Sequence, residues 1–172
     1  MAVRRAVENP ILRPEDVVPS RGDFEIIGVS NAAVARYGNE VILLLRVAER
    51  PVGGDANVVL CPIYEVEAGR IVVRPFARDD PRYDFSDPRL IVARASLVSR
   101  ASCPRVSKAS RLRSAGGTPA MDYERTGFFG NVVFSCGLLF EEETLKVYYG
   151  AADTSIAYAE VPLADVYANL NL

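Results

Sequence analysis

Apolar residues alternate with polar ones through most of this chain, in short runs broken by turn residues. "FEIIGVSNAAVARY", then "GN", then "EVILLLRV", residues 24–47, read as two strands joined by a Gly-Asn turn. "ANVVLCPIYEVEAGRIVVRPF", 56–76, repeats the form, with Ala68-Gly69 as the turn between β-branched runs. "DDPRYDFSDPRLIVAR", 79–94, is a turn-rich acidic loop feeding another strand. "GNVVFSCGLLFEEETLKVYYGAADTSIAYAEV", 130–161, supplies three more strands, two of them joined by "EEET". Near the N-terminus, "ENPILRP", 8–14, brackets an apolar pair with prolines and predicts an extended arm. "PLADVYANL", 162–170, predicts a short closing helix with proline in its first turn.

Nearly every predicted element is a short strand, and the turns come at hairpin spacing. That pattern is antiparallel and all-β, compatible with a sandwich, a barrel or a propeller. The hairpins fall in two groups, 24–94 and 130–161, each with about the strand content of one four-stranded propeller blade. Residues 95–121 break the alternation, hold no acid and are dominated by Ser, Arg and Ala. The expected organisation is therefore an N-terminal arm and first blade over 1–94, a basic irregular linker over 95–121, and a last blade with its helix over 122–172. For 95–121 three readings stay open: a solvated linker, a basic binding segment, or a stretch whose frame or origin was disturbed.

At 172 residues, 49% hydrophobic and 24% charged, the chain has the composition of one soluble domain with a real core. Its net charge of −2 argues against whole-protein attraction to nucleic acid or an anionic membrane. The charge is uneven: Arg94, Arg100, Arg105, Lys108, Arg111 and Arg113 cluster without acids, whereas 122–172 is acidic. Six cations without interleaved aromatics make nucleic acid an unpromising partner. Cys61, Cys103 and Cys136 form no C-x-x-C pair and no histidine exists, so neither a zinc site nor a disulfide framework is expected. A reduced, cytoplasmic protein is the expectation, since the N-terminus lacks a secretory apolar stretch and no run reaches the ~18 apolar residues of a membrane helix. The absence of histidine excludes imidazole-based triads and leaves carboxylates, tyrosine, lysine or a bound reactant for any catalysis.

"RTGFFGNVVFSCGLLFEEETLKVYYGAADTSIAYAEVPLADV", 125–166, resembles the last blade of glycoside hydrolase family 130, the β-mannoside phosphorylases and mannosidases. "NPIL" at 9–12, Asn31 before a strand and "VILLLRV" at 41–47 resemble the opening of the same family. The likeness covers roughly 8–94 and 122–170, and the family's central blades have no counterpart here. The resemblance implies an incomplete five-bladed β-propeller, first and last blades only, of antiparallel four-stranded meanders.

The family's reaction, as the resemblance implies it, transfers a mannosyl unit to inorganic phosphate with inversion, using one aspartate as general acid. One carboxyl group suffices because phosphate brings its own nucleophilic oxygen, unlike the usual inverting pair of carboxylates. That aspartate lies in an E-D-P-R motif. Asp80-Pro81-Arg82 and Asp87-Pro88-Arg89 both lack the preceding glutamate. Asp87 is the candidate acid, against its reading as a turn-opening aspartate before proline. By resemblance Asn31 and Arg46 help hold the mannosyl ring; Arg46, ending an apolar run, is expected to be costly to bury unless paired, Glu49 being the structural alternative. Asp153, on the family's "YGAAD" turn, would accept hydrogen bonds from sugar hydroxyls, with Gly150, Ala151 and Ala152 allowing close approach; the alternative is a ligand-free Asx turn. Glu141, Glu142 and Glu143 read as a solvated hairpin tip, and Phe128-Phe129 and Tyr148-Tyr149 as packing.

These readings predict a relative of the β-mannoside phosphorylases that is inactive or impaired alone, with no cofactor beyond phosphate as co-substrate and a β-mannoside or related oligosaccharide as ligand. Two alternatives are an enzyme made active through homo-oligomerisation or a rearranged site around Asp87, and a non-enzymatic binding module using 95–121.

Overall fold

The computed structural model describes residues 2–86, 91–94 and 118–170. Strands and short helices follow in the order β1 (Arg4–Arg5), a 3-10 turn (Pro14–Asp16), β2 (Phe24–Tyr37), β3 (Glu40–Pro51), β4 (Val58–Glu65), β5 (Arg70–Ala77), β6 (Tyr83–Asp84), β7 (Val92–Ala93), α1 (Asp122–Arg125), β8 (Val133–Glu141), β9 (Thr144–Ala151), β10 (Ser155–Pro162) and α2 (Leu163–Leu170). All pairings with a recorded register are antiparallel. The all-β expectation holds, and the hairpins fall where the alternation put them. Among the described residues no helix is long and apolar enough to cross a membrane.

The chain divides into two units, Met1–Glu49 with Ser114–Leu172, and Arg50–Arg113. The second contains the β4–β5 hairpin, paired from Val58↔Ala77 to Glu65↔Arg70, and the small β6–β7 pair. Phe76 and Tyr83 meet edge to face there, with ring centroids 5.0 Å apart.

The first unit is built on a four-stranded sheet in the order β1-β10-β9-β8. Its meander β8-β9-β10 was legible in the alternation, but its fourth strand comes from the opposite end of the sequence. Arg4 and Arg5 pair with Glu160 and Ala159. The arm continues along β10: the Ile11 and Ile156 backbones bond at 2.9 Å, and the Asn9 side chain brackets the Tyr158 backbone, donating to its carbonyl at 2.7 Å and accepting from its N–H at 3.0 Å. These backbone groups would otherwise form an open sheet edge.

Both faces of the sheet are covered. On one, Tyr149, Ala151, Ala157 and Ala159 are buried with Val3, Tyr123 and Val133. On the other, Ile156 packs with Val29 and Ala32 of β2, and Leu43 and Leu45 of β3 join them. Small residues let β2 approach: a Cβ on Gly137 would stand 2.9 Å from Val34 Cβ, so only glycine fits under that strand.

Candidate functional site

Asp153 sits at the tip between β9 and β10, just beyond the Ala151↔Ser155 pair. The Thr154 N–H closes the turn on the Ala151 carbonyl at 3.0 Å. Ala152 (φ 51°) and Asp153 (φ 50°) are both left-handed, the backbone of a primed hairpin turn that Asn-Gly pairs usually supply. Asn31 is left-handed too, with φ 52°. Across it the inward phase of β2 shifts by one residue, since Val29 and Ala32 enter the same apolar cluster. An extra residue of this kind re-aims a strand's side chains, and here it turns Asn31 outward.

Asn31 and Asp153 both come near the Cys136 thiol. The Asn31 N–H lies 3.8 Å, and Cys136 Sγ 4.0 Å, from where a Gly150 Cβ would be. The Cys136 thiol is pushed up by burial; bonds from the Gly150, Ala32 and Asn31 N–H groups pull the other way, and the nearby Asp153 carboxylate adds to the upward push. The thiol donates to the Phe134 carbonyl at 3.0 Å and is held as a neutral group between the two candidate sugar-facing residues.

Arg46 was expected either to help hold the sugar or to pair with a carboxylate such as Glu49, and among the described residues it pairs with none. It is exposed on the face of β3 that carries Ile42 and Leu44, while Leu43 and Leu45 point inward. Glu49 is taken by Ser20, whose N–H and hydroxyl donate to it at 2.7 and 2.5 Å. Among the described residues the Asn31 amide, the Arg46 guanidinium and the Asp153 carboxylate have no hydrogen-bond or ion-pair partner. Asp153 therefore does not close an Asx turn. Asp87 lies outside the described residues, as do 95–117 of the basic segment.

Several other charged groups of this unit are paired. Glu141, expected at a solvated tip, is the last residue of β8 and pairs with Arg36 and, at 2.7 Å, with Lys146; the turn itself is Glu142-Glu143. These residues border an open hollow of about 610 Å³ at the far end of β9 from Asp153, and none of the three candidate residues lines it. Its charges neutralise one another, so it offers no single-sign surface.

One buried cluster had no signal in the sequence. Glu124 of α1 is fully buried and accepts from Arg5 Nε (2.6 Å) and Nη2 (3.1 Å), from the Ala120 and Met121 N–H groups (2.6 and 3.1 Å) and from Tyr149 Oη (2.8 Å). Burial pushes its carboxyl up, but Arg5 and the other donors outweigh this and hold it below the usual range. Tyr149 is held strongly neutral by burial and by its bonds with Tyr123 and Glu124. With every partner satisfied, the cluster is a tie between the arm, α1 and β9.

Comparison with known proteins bears on this geometry. Residues 117–171 match the family model described as β-1,4-mannooligosaccharide phosphorylase, glycoside hydrolase family 130. A β-1,2-mannobiose phosphorylase from Listeria innocua serovar 6a is 46% identical over 97 residues, 56% of this chain and 27% of that protein. Over these stretches the chain is similar to glycoside hydrolase family 130. A 1,2-β-oligomannan phosphorylase from a Thermoanaerobacter strain is 44% identical over 48 residues, 28% of this chain and 16% of that protein. The chain thus matches about a quarter or less of the length of these family 130 relatives. The solved structure of the Listeria innocua β-1,2-mannobiose phosphorylase, in complex with β-1,2-mannobiose, superimposes with a TM-score of 0.78 at 21% identity, spanning 99% of both chains. That span is much wider than the sequence match, and at such identity it speaks for the fold alone. The propeller-type architecture of family 130 is therefore the fold of this chain.

Proposed function

We propose that this chain, as a relative of glycoside hydrolase family 130, keeps one wall of a mannosyl-binding site, formed by Asn31, Arg46 and Asp153, and is impaired in mannosyl transfer when alone. The observation that carries the reading is that, among the described residues, those three polar heads are unengaged, two of them on left-handed backbone, whereas Arg4, Arg36, Glu141, Lys146 and Glu160 of the same unit are ion-paired. Unspent donors and acceptors at strained positions are what a sugar's hydroxyl groups need. The ligand is a β-mannoside, β-1,2-mannobiose being the first to try given the relatives' names. Inorganic phosphate is the co-substrate of any residual reaction, and no cofactor is required. Impairment follows from the site's chemistry: no E-D-P-R sequence is present and no histidine exists.

The test is calorimetric titration of the whole chain with β-1,2-mannobiose, alongside a mannose 1-phosphate assay with added phosphate. Binding is expected, weakened about tenfold or more in Asp153→Asn, since a hydrogen bond to a charged group contributes ~1.5–3 kcal/mol. Mannose 1-phosphate at an enzyme-like rate from the monomer refutes impairment, and no binding by the wild type refutes the sugar wall.

One observation favours a second reading, activity through self-association. β8 is an edge strand with Phe134, Leu138 and Phe140 each more than half exposed, a surface suited to a neighbouring sheet. Light scattering that shows a strict monomer removes it.

A further inference from the structure

The Asp153 turn is strained, and its neighbours hold it. Two successive non-glycine residues with φ near +50° are each disfavoured, so Ala152-Asp153 does not choose this conformation by itself. Thr154 supplies the central restraint. Its hydroxyl donates to the Ala152 carbonyl at 3.0 Å and accepts the Phe128 N–H at 2.7 Å, joining the turn to the loop that precedes β8. That loop adds two more bonds: Phe129 N–H to the Ala152 carbonyl at 3.0 Å, and Ala152 N–H to the Val132 carbonyl at 2.8 Å. From the other side, the Val29 N–H donates to the Thr154 carbonyl at 3.0 Å.

Two glycines let these elements close in. A Cβ on Gly127 would stand 2.7 Å from both Ala152 Cβ and its carbonyl oxygen, and one on Gly28 would stand 2.5 Å from the Asp153 carbonyl oxygen. Those atoms cannot swing aside as the end of a flexible side chain can. The Ala152 carbonyl thus has two donors, Ala152 itself is fully buried, and the Asp153 side chain is left without a bond of its own.

We propose that Thr154, seated between Gly127 and Gly28, is the positioning residue for Asp153: its hydroxyl locks the left-handed turn and so aims a carboxylate it does not touch. Resting on the sugar-wall reading for its consequence, the lock itself is a property of the turn and is measurable without sugar. Thr154→Val keeps shape and volume but removes the bonds to the Phe128 N–H and the Ala152 carbonyl, leaving Ala152 less constrained. Thr154→Ser keeps the hydroxyl. Ala152→Gly removes the penalty of the left-handed residue, so the turn no longer needs the lock.

The experiment records backbone NMR shifts of Ala152 and Asp153 in the full chain, together with β-1,2-mannobiose titrations. Thr154→Val is expected to move both residues' Cα shifts away from left-handed values and to weaken binding roughly tenfold, the ratio equivalent to one such residue's strain. Thr154→Ser retains the wild-type values, and Thr154→Val with Ala152→Gly regains them, a rescue that general damage to the fold would not produce. Should the valine variant fail to fold, Ala152→Gly in the wild type decides: Asp153 shifts and affinity within twofold of wild type support the lock, and loss of both overturns it. Unchanged shifts in Thr154→Val overturn the proposal whatever the sugar does. Shifts that move as expected while the wild type binds no mannobiose leave the lock standing and refute the sugar wall instead.

Discussion

Removing the Glu124 carboxylate is expected to destabilise the chain by ~3–5 kcal/mol, the range for breaking a buried ion pair from one side. Glu124→Ala leaves Arg5, with only 20% of its side chain exposed, facing no counter-charge. It also strands two backbone N–H groups and the Tyr149 hydroxyl, which lose acceptors at 2.6, 3.1 and 2.8 Å. Against a typical domain stability of ~5–15 kcal/mol, that is a large fraction. Glu124→Gln keeps the shape and one acceptor oxygen but loses the charge, so a smaller loss of ~1–3 kcal/mol is expected.

The pH dependence separates this account from simple packing. Glu124 titrates lower in the folded chain than its ordinary 4.5, so its contribution is fully present above that value and is lost as pH falls through the folded value. Urea unfolding followed by circular dichroism should therefore show wild type and Glu124→Gln well separated at neutral pH and converging as the medium is acidified below about 4.5. Other depressed carboxylates, such as Asp23 and Asp80, titrate in both proteins and cancel in the difference. An alanine variant within ~0.5 kcal/mol of wild type, or a glutamine gap that does not narrow in acid, would falsify the assignment of this cluster as the tie between arm and blade.

Two further predictions are more local. Gly137→Ala should cost ~1–3 kcal/mol in the same urea assay, because the added methyl meets Val34 Cβ at 2.9 Å and β2 must shift; a neutral result would mean that the β2–β8 contact is loose. The Tyr158 phenol, hydrogen-bonded to Glu8 and partly buried, is pushed up to about 12, so the neutral form favours the fold and that contribution is lost as pH rises through about 12. Phenolate absorbance should show a step near pH 12 that is missing in Tyr158→Phe, and a phenolate titrating near 10 would refute the contact.

The hairpins were legible because period-two alternation and turn residues report directly on strands whose successive side chains face opposite ways. The strand β1 was not, since two arginines carry no alternation and their partner lies more than 150 residues away. "VILLLR" hides its alternation, because an unbroken apolar run does not say which residues face inward: Leu43 and Leu45 pack into the core, while Ile42 and Leu44 face outward and Arg46 follows them. The Asp153 turn was found from its small residues, but its left-handed backbone was hidden: Ala-Asp is not the pair that such a turn selects, and the restraint comes from Gly28, Gly127 and Thr154. Glu124 was invisible because a single acid outside any periodic segment looks like surface.

The position of the candidate residues along the chain has a physical consequence. Asn31, Arg46 and Asp153 all belong to the unit formed by the two ends of the sequence, which has its own apolar clusters and its own buried ion pair. That unit needs nothing from the interval 50–113 to complete its sheet. Asp87, the candidate acid, lies in that interval and outside the described residues. The proposed wall and the candidate acid come from different intervals of the sequence, so experiment can separate them: sugar affinity should follow Asp153 and its Thr154 lock, and any turnover should follow Asp87. Binding that is unchanged in Asp87→Asn while weakened about tenfold or more in Asp153→Asn is the result expected of a wall that outlasts its reaction centre, and the reverse pattern would refute the wall.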